Sequence, residues 1–187
     1  MGNRKGRFYK IKRKMMAQKE TIQKLNRKVG SLLVKMGVLR IQVAFQIKPT
    51  IVDGSKFRNE LRNTTDISTI SIMDRKYYMT DWETWKEIIE LDWTDQKKYI
   101  KEQYDCDDFA FSFKARASEV FGLNSVMACY GKIYNKDTGA LIGSHYWNII
   151  LTDDNKAYYY EPITDKYAEA SNNVVIGNWR YSPVHLR

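Results

Sequence analysis

Gln103-Tyr104-Asp105-Cys106-Asp107-Asp108-Phe109-Ala110 is the stretch on which the reading of this chain turns. Downstream of it, Phe109, Phe113, Ala117 and Val120 recur at helical spacing, and Gly122 follows Phe121 as a stop signal. A helix over 105–121 therefore begins at the cysteine, with Asp105 as N-cap and Cys106 at the first helical position. Free backbone N–H groups and the helix dipole favour a thiolate there, and the same groups can donate to an oxyanion.

Two further residues complete a pattern. His145 lies in Gly143-Ser144-His145-Tyr146-Trp147-Asn148, and Glu161 in Tyr160-Glu161-Pro162. Thiol, imidazole and carboxylate in that order point to Cys106 as nucleophile, His145 as base and Glu161 as the group that orients the ring. Strand periodicity turns Asn148, the competing orienter, away from His145. His185, the other histidine, is close enough to the chain end to fray. Cys129 sits in an apolar run and reads as core.

Around the central helix the elements are short. Lys56–Arg62 suits a short helix, and Ile67, Thr69, Ile70 and Ile72 suit a strand. Thr80 with Glu83 forms a capping box for a helix over 81–91, and a second helix spans 96–103. Strands are expected at 125–133, 141–151 and 157–161, with edge pieces at 174–176 and 179–181. The turn Asn135-Lys136-Asp137-Thr138-Gly139 joins the first two strands. The pattern is α+β, with the cysteine helix packed on an antiparallel sheet.

Charge divides the chain. Residues 1–48 carry 14 Lys/Arg against Glu20 alone, and residues 49–187 carry 17 against 21 acidic residues, within a net charge of +9. A basic arm (1–48) thus precedes a mildly acidic domain (49–187). Arg4 to Lys14 is a dense positive cluster, and Met15, Ile22, Leu25 and Val29 recur with helical spacing behind it. Such an arm suits nucleic acid, an anionic surface or other subunits of an assembly. Residues 38–45 alternate briefly, as a strand would. With two cysteines a disulfide framework is excluded, and no apolar run reaches the length of a transmembrane helix. No signal-peptide pattern opens the sequence, so a cytoplasmic or phage-particle location is expected.

The Cys-Asp-Asp-Phe-Ala, His-x-Trp-Asn and Glu-Pro pieces together resemble the papain-like cysteine protease domain of the Marasmius oreades agglutinin C-terminal type, found also in phage and prophage proteins. The resemblance covers residues 77–165. It implies a papain-like fold and a thiol hydrolase cleaving peptide or isopeptide bonds through Cys106, His145 and Glu161. The cysteine peptidase or amidase would act on a protein or peptide substrate and needs no cofactor for its chemistry. Calcium is the ion the resemblance implies, with Asp107 and Asp108 as ligands. The basic arm stands where that agglutinin has its sugar-binding module, which points to a bacteriophage or virion context. The alternative is a catalytically silent papain-like structural or virion protein whose arm does the binding.

Overall fold

The centre of the molecule is a long hairpin, and its turn is written in the sequence. In the computed structural model, β4 (Val126–Asn135) and β5 (Leu141–Leu151) pair antiparallel from Val126↔Ile150 onward. The Asn135 side-chain oxygen accepts from the N–H groups of Asp137 and Thr138, and Gly139 takes a positive φ of 70°. The structure describes residues 14–16, 18, 19, 21, 22, 24–29, 31, 32, 35, 37, 38, 46–65, 67, 69–171 and 174–187. It falls into two compact units, Met1–Leu39 and Arg40–Arg187.

In the second unit, β1 (Thr50–Asp53) pairs antiparallel with β3 (Lys76–Met79), and α1 (Gly54–Thr64) lies between them in sequence. The main sheet has the order β2 (Thr69–Ile70), β9 (Trp179–Leu186), β4, β5, β6 (Ala157–Glu161), β7 (Lys166–Glu169), with β8 (Val175–Ile176) paired to β9. It is mixed: β2 runs parallel to β9, which corrects the expectation of an antiparallel sheet.

From Trp147 to Leu151 every residue of β5 is buried, because both faces of the sheet are covered. Trp147, Ile149 and Leu151 join a core with Phe57 and Leu61 of α1. Ile150 and Tyr160 join the other, with Trp85 of α2 (Trp82–Leu91) and Phe113 and Ala117 of α3 (Cys106–Phe121). Between them, the buried Asn148 donates its amide to Ala110 O of α3 at 2.9 Å. Asn148 thus ties sheet to helix and takes no part in orienting His145.

Several expectations are corrected. The cap of α2 is Asp81, whose carboxylate accepts from Thr84 N at 2.9 Å. The expected helix over 96–103 is instead a 3₁₀ turn, Thr94–Gln96, followed by irregular chain closed by an Ile100↔Tyr104 bridge. That segment offers little apolar surface to bury, so packing does not hold a helix there. His185 is no frayed end: it pairs with Tyr130 of β4 and with Thr69 of β2. The cluster at residues 4–13 and most of the expected strand at 38–45 lie outside the described residues.

Candidate functional site

α3 begins where its sequence says. Asp105 N donates to Asp108 Oδ2 at 3.1 Å, and the Asp105 carboxylate accepts from Glu102 N at 3.0 Å. That anchors the turn before the helix and presents Cys106, half-buried, as the first helical residue. Asp107 shares a hydrogen bond with Asp105, which raises the Asp107 carboxyl above its usual range, with burial adding to the effect.

His145 comes from β5 and Glu161 from the end of β6. The register Asn148↔Tyr160 carries on to place Glu161 across from Trp147, so His145 is its diagonal neighbour on the same face. His145 Nε2 meets Glu161 Oε2 at 2.6 Å, and both side chains are buried. Glu161 is held from two more sides: Tyr181 Oη donates to Oε2 at 2.9 Å and Ile163 N to Oε1 at 3.3 Å. Trp179 and the imidazole meet nearly at right angles, with ring centroids 5.6 Å apart. Burial pulls the His145 pKa down. Hydrogen bonding with Cys106 and Glu161, and the charges of both, outweigh it and bring it to about 9. With Nε2 committed to Glu161, Nδ1 is the ring nitrogen left for the sulfur.

Cys106, His145 and Glu161 are therefore brought together. Of the acidic pair expected to hold calcium, Asp107 lies with Asp105 and Cys106, their ligand atoms within 4.8 Å of one another, whereas Asp108 is engaged at the helix cap. Cys129 is wholly buried, and burial pushes its thiol well up. Sequence reasoning missed Tyr181, whose only signal was an aromatic in a predicted edge strand.

Beside Glu161 lies a recess of about 190 Å³ that the sequence did not reveal. Buried Glu161 and Tyr181 line its inner side, with Thr164, Lys166, Asn178 and half-buried Trp179 towards solvent. It is smaller than the roughly 300 Å³ at which drug-sized pockets begin.

Residues 43–176 match the family described as the ricin-type beta-trefoil lectin C-terminal domain. The chain belongs to that family. Among solved structures it is similar to a PSL1a–E64 complex, with 17% identity, a TM-score of 0.54 and coverage of 73% of this chain and 50% of that one. It is also similar to a Polyporus squamosus lectin bound to the human-type influenza-binding epitope Neu5Acα2-6Galβ1-4GlcNAc, with 17% identity, a TM-score of 0.50 and coverage of 63% and 45%. The chain spans about half the length of these neighbours. A comparison with curated proteins finds no match.

This lectin C-terminal domain corrects what the sequence resemblance implied. The fold is a mixed α+β fold shared with these neighbours, and it takes the place of the papain-like assignment. Family membership likewise replaces the protease resemblance, the thiol hydrolase activity and its protein or peptide substrate. The bacteriophage and virion context goes with them, as does the silent virion alternative whose arm grips nucleic acid or subunits. No described helix is long and apolar enough to cross a membrane.

Proposed function

We propose that this lectin C-terminal domain serves carbohydrate recognition, with the Trp179 recess as the place where one sugar ring sits. The observation that carries the reading is the family match over residues 43–176. The recess supports it in its chemistry. A half-buried indole offers an apolar face to the C–H side of a pyranose, and Asn178, Lys166 and Thr164 offer donors and acceptors for hydroxyls around it. The bound epitope of the Polyporus squamosus lectin is a sialylated sugar, which belongs to that protein and sets the first ligands to try. Saturation-transfer NMR and tryptophan fluorescence with sialic acid, galactose, N-acetylglucosamine and their oligomers test the proposal. Binding should be lost in Trp179→Ala while the fold is kept. No binding to any of these sugars, or binding indifferent to Trp179, overturns it.

A second reading attaches to Cys106, His145 and Glu161, and rests on the 2.6 Å bond between imidazole and carboxylate beside a thiol at a helix start. Cys106 serves as a reactive sulfur, His145 as its cationic partner, and Glu161 as the group that fixes the ring. Alkylation by iodoacetamide, followed at Cys106 by peptide mass spectrometry, should be fast near neutral pH and slow in His145→Ala. A rate equal to that of free cysteine refutes it. Where calcium binds this domain, the Asp105 and Asp107 carboxylates suit it: they are hard oxygen donors whose ligand atoms already lie close together, and a cation there would relieve the crowding that raises Asp107. A rise in melting temperature with calcium, absent in Asp107→Asn, is the readout.

A further inference from the structure

Between residues 14 and 38 every described residue is helical, and the apolar ones face solvent. Met15, Ile22, Leu25, Val29 and Leu32 are between 49% and 64% exposed. Their spacing is 7, 3, 4 and 3, a heptad pattern. With Met15 at position a of a heptad, Ile22 and Val29 also fall at a, while Gln18, Leu25 and Leu32 fall at d. In sequence the register continues to Met36 at a and Leu39 at d. β-branched residues at a, leucine at d and a polar side chain at one core position form a coiled-coil seam. Gly30 and Gly37 both fall at b, outside the seam, where a missing side chain removes no knob.

The flanks of the seam decide what covers it. Positions g hold Lys14, Thr21, Lys28 and Lys35, and positions e hold Lys19, Asn26, Leu33 and Arg40, so every charge on the flanks is positive. In a parallel pair of this chain with itself, g meets the following e of the partner, so Lys14 would face Lys19 and Lys35 would face Arg40. An antiparallel pair sets e against e and g against g, where cations again meet with no acidic residue to offset them. Like charges in these positions disfavour a second copy. A bilayer fits less well than a helix: the heptad repeat of a and d runs through the segment with Met16, Leu33, Val34 and Val38 as the large apolar residues outside it, and no aromatic residue occurs from 10 to 44 to anchor an interface.

We propose that this segment is one strand of a heteromeric coiled coil, and that its partner is a helix with apolar a and d positions and glutamate or aspartate at e and g. A shallow apolar groove lined by Lys14, Gln18, Thr21 and Ile22 lies along the seam and is where the partner's first knobs would enter.

The test uses the full chain with two synthetic heptad peptides that share one Ile/Leu core, one with Glu at e and g and one with Lys. Circular dichroism and fluorescence anisotropy should show the acidic peptide binding, with a gain in helix, at least about tenfold tighter than the basic one. Leu25→Asp should abolish binding, and Arg27→Ala, at the outer f position, should leave it unchanged. The combined Lys14→Glu, Lys28→Glu and Lys35→Glu variant should reverse the preference, a result that loss of folding cannot imitate. Binding of neither peptide, or equal binding of both, overturns the proposal. So does a free chain that sediments as a dimer, or capture of the chain by phosphatidylserine vesicles or duplex DNA in place of the acidic peptide.

Discussion

Replacing Glu161 by Gln would keep the shape of the site and remove one charge. In the native protein His145 is brought to about 9 against an ordinary value of 6.5. That gap converts to about 3 kcal/mol of folded-state preference for the imidazolium. Because the folded value lies above the unfolded one, this stabilisation is fully present below pH 6.5. It fades as pH rises from 6.5 to 9 and is gone above. The His145 side chain is 8% exposed and that of Glu161 2%, so solvent screening removes little of it. In Glu161→Gln the neutral amide no longer opposes the burial that pulls His145 down, and its pKa should fall by about 1–3 units. Two measurements follow this: NMR titration of the His145 ring proton, and urea unfolding at intervals between pH 6 and 10. The native protein should lose stability across the interval, and the variant should lose much less. Repeating both in Cys106→Ser separates the share of the thiol, whose hydrogen bond also supports the imidazolium. A native His145 titrating near 6.5, with stability flat from pH 6.5 to 9, refutes the reasoning.

Other perturbations probe the frame around the site. Arg116 Nε meets Asp92 Oδ2 at 2.6 Å, where Asp92 ends α2, so Arg116→Ala leaves a buried carboxylate without its cation. It should cost about 3–5 kcal/mol in denaturant unfolding, and Arg116→Lys should recover part of that. Asp81→Ala removes the cap of α2 and should cost about 1 kcal/mol. At Gly131 a β-carbon would fall within 3 Å of Ser182 O, the Trp147 ring and Pro183 Cα, at the register shift between β4 and β9. Gly131→Ala should therefore cost about 3 kcal/mol or more by thermal denaturation, since two of the three neighbours are backbone.

The parts of the fold legible in the sequence are those with strong local signals. The limits of β5 and β6 match the expected 141–151 and 157–161, because turn residues bracket apolar runs on both sides. The start of α3 and its end at a left-handed Gly122 were equally plain. What could not be read is tertiary in origin. β1 and β3 pair with each other across α1, and neither Thr50–Asp53 nor Lys76–Met79 alternates strongly enough to announce a strand. β7 is mostly exposed and owes its existence to pairing with β6. The choice between Thr80 and Asp81 as cap turned on one residue of phase, which a sequence does not fix when both are good caps.

The site shows the same division at a finer scale, and the reason is geometric. Cys106, His145 and Glu161 could be picked out because each sits at an end or edge that the sequence marks: a helix start, a strand in a hairpin, a strand closed by proline. Tyr181 and Trp179 could not, since they reach Glu161 and His145 only through the pairing of β9 with β4, far away in sequence. That same pairing creates the recess, so the wall of the imidazole site and the proposed sugar contact are built by one strand. A ligand resting on Trp179 would touch a side chain whose ring packs against His145, and Glu161 lines the recess while its Oε2 accepts from both His145 and Tyr181. Sugar binding and the titration of His145 should therefore be linked. An occupied recess should shift the His145 ring resonance in native protein and leave it unmoved in Trp179→Ala, and an unmoved resonance in saturated native protein would separate the two sites.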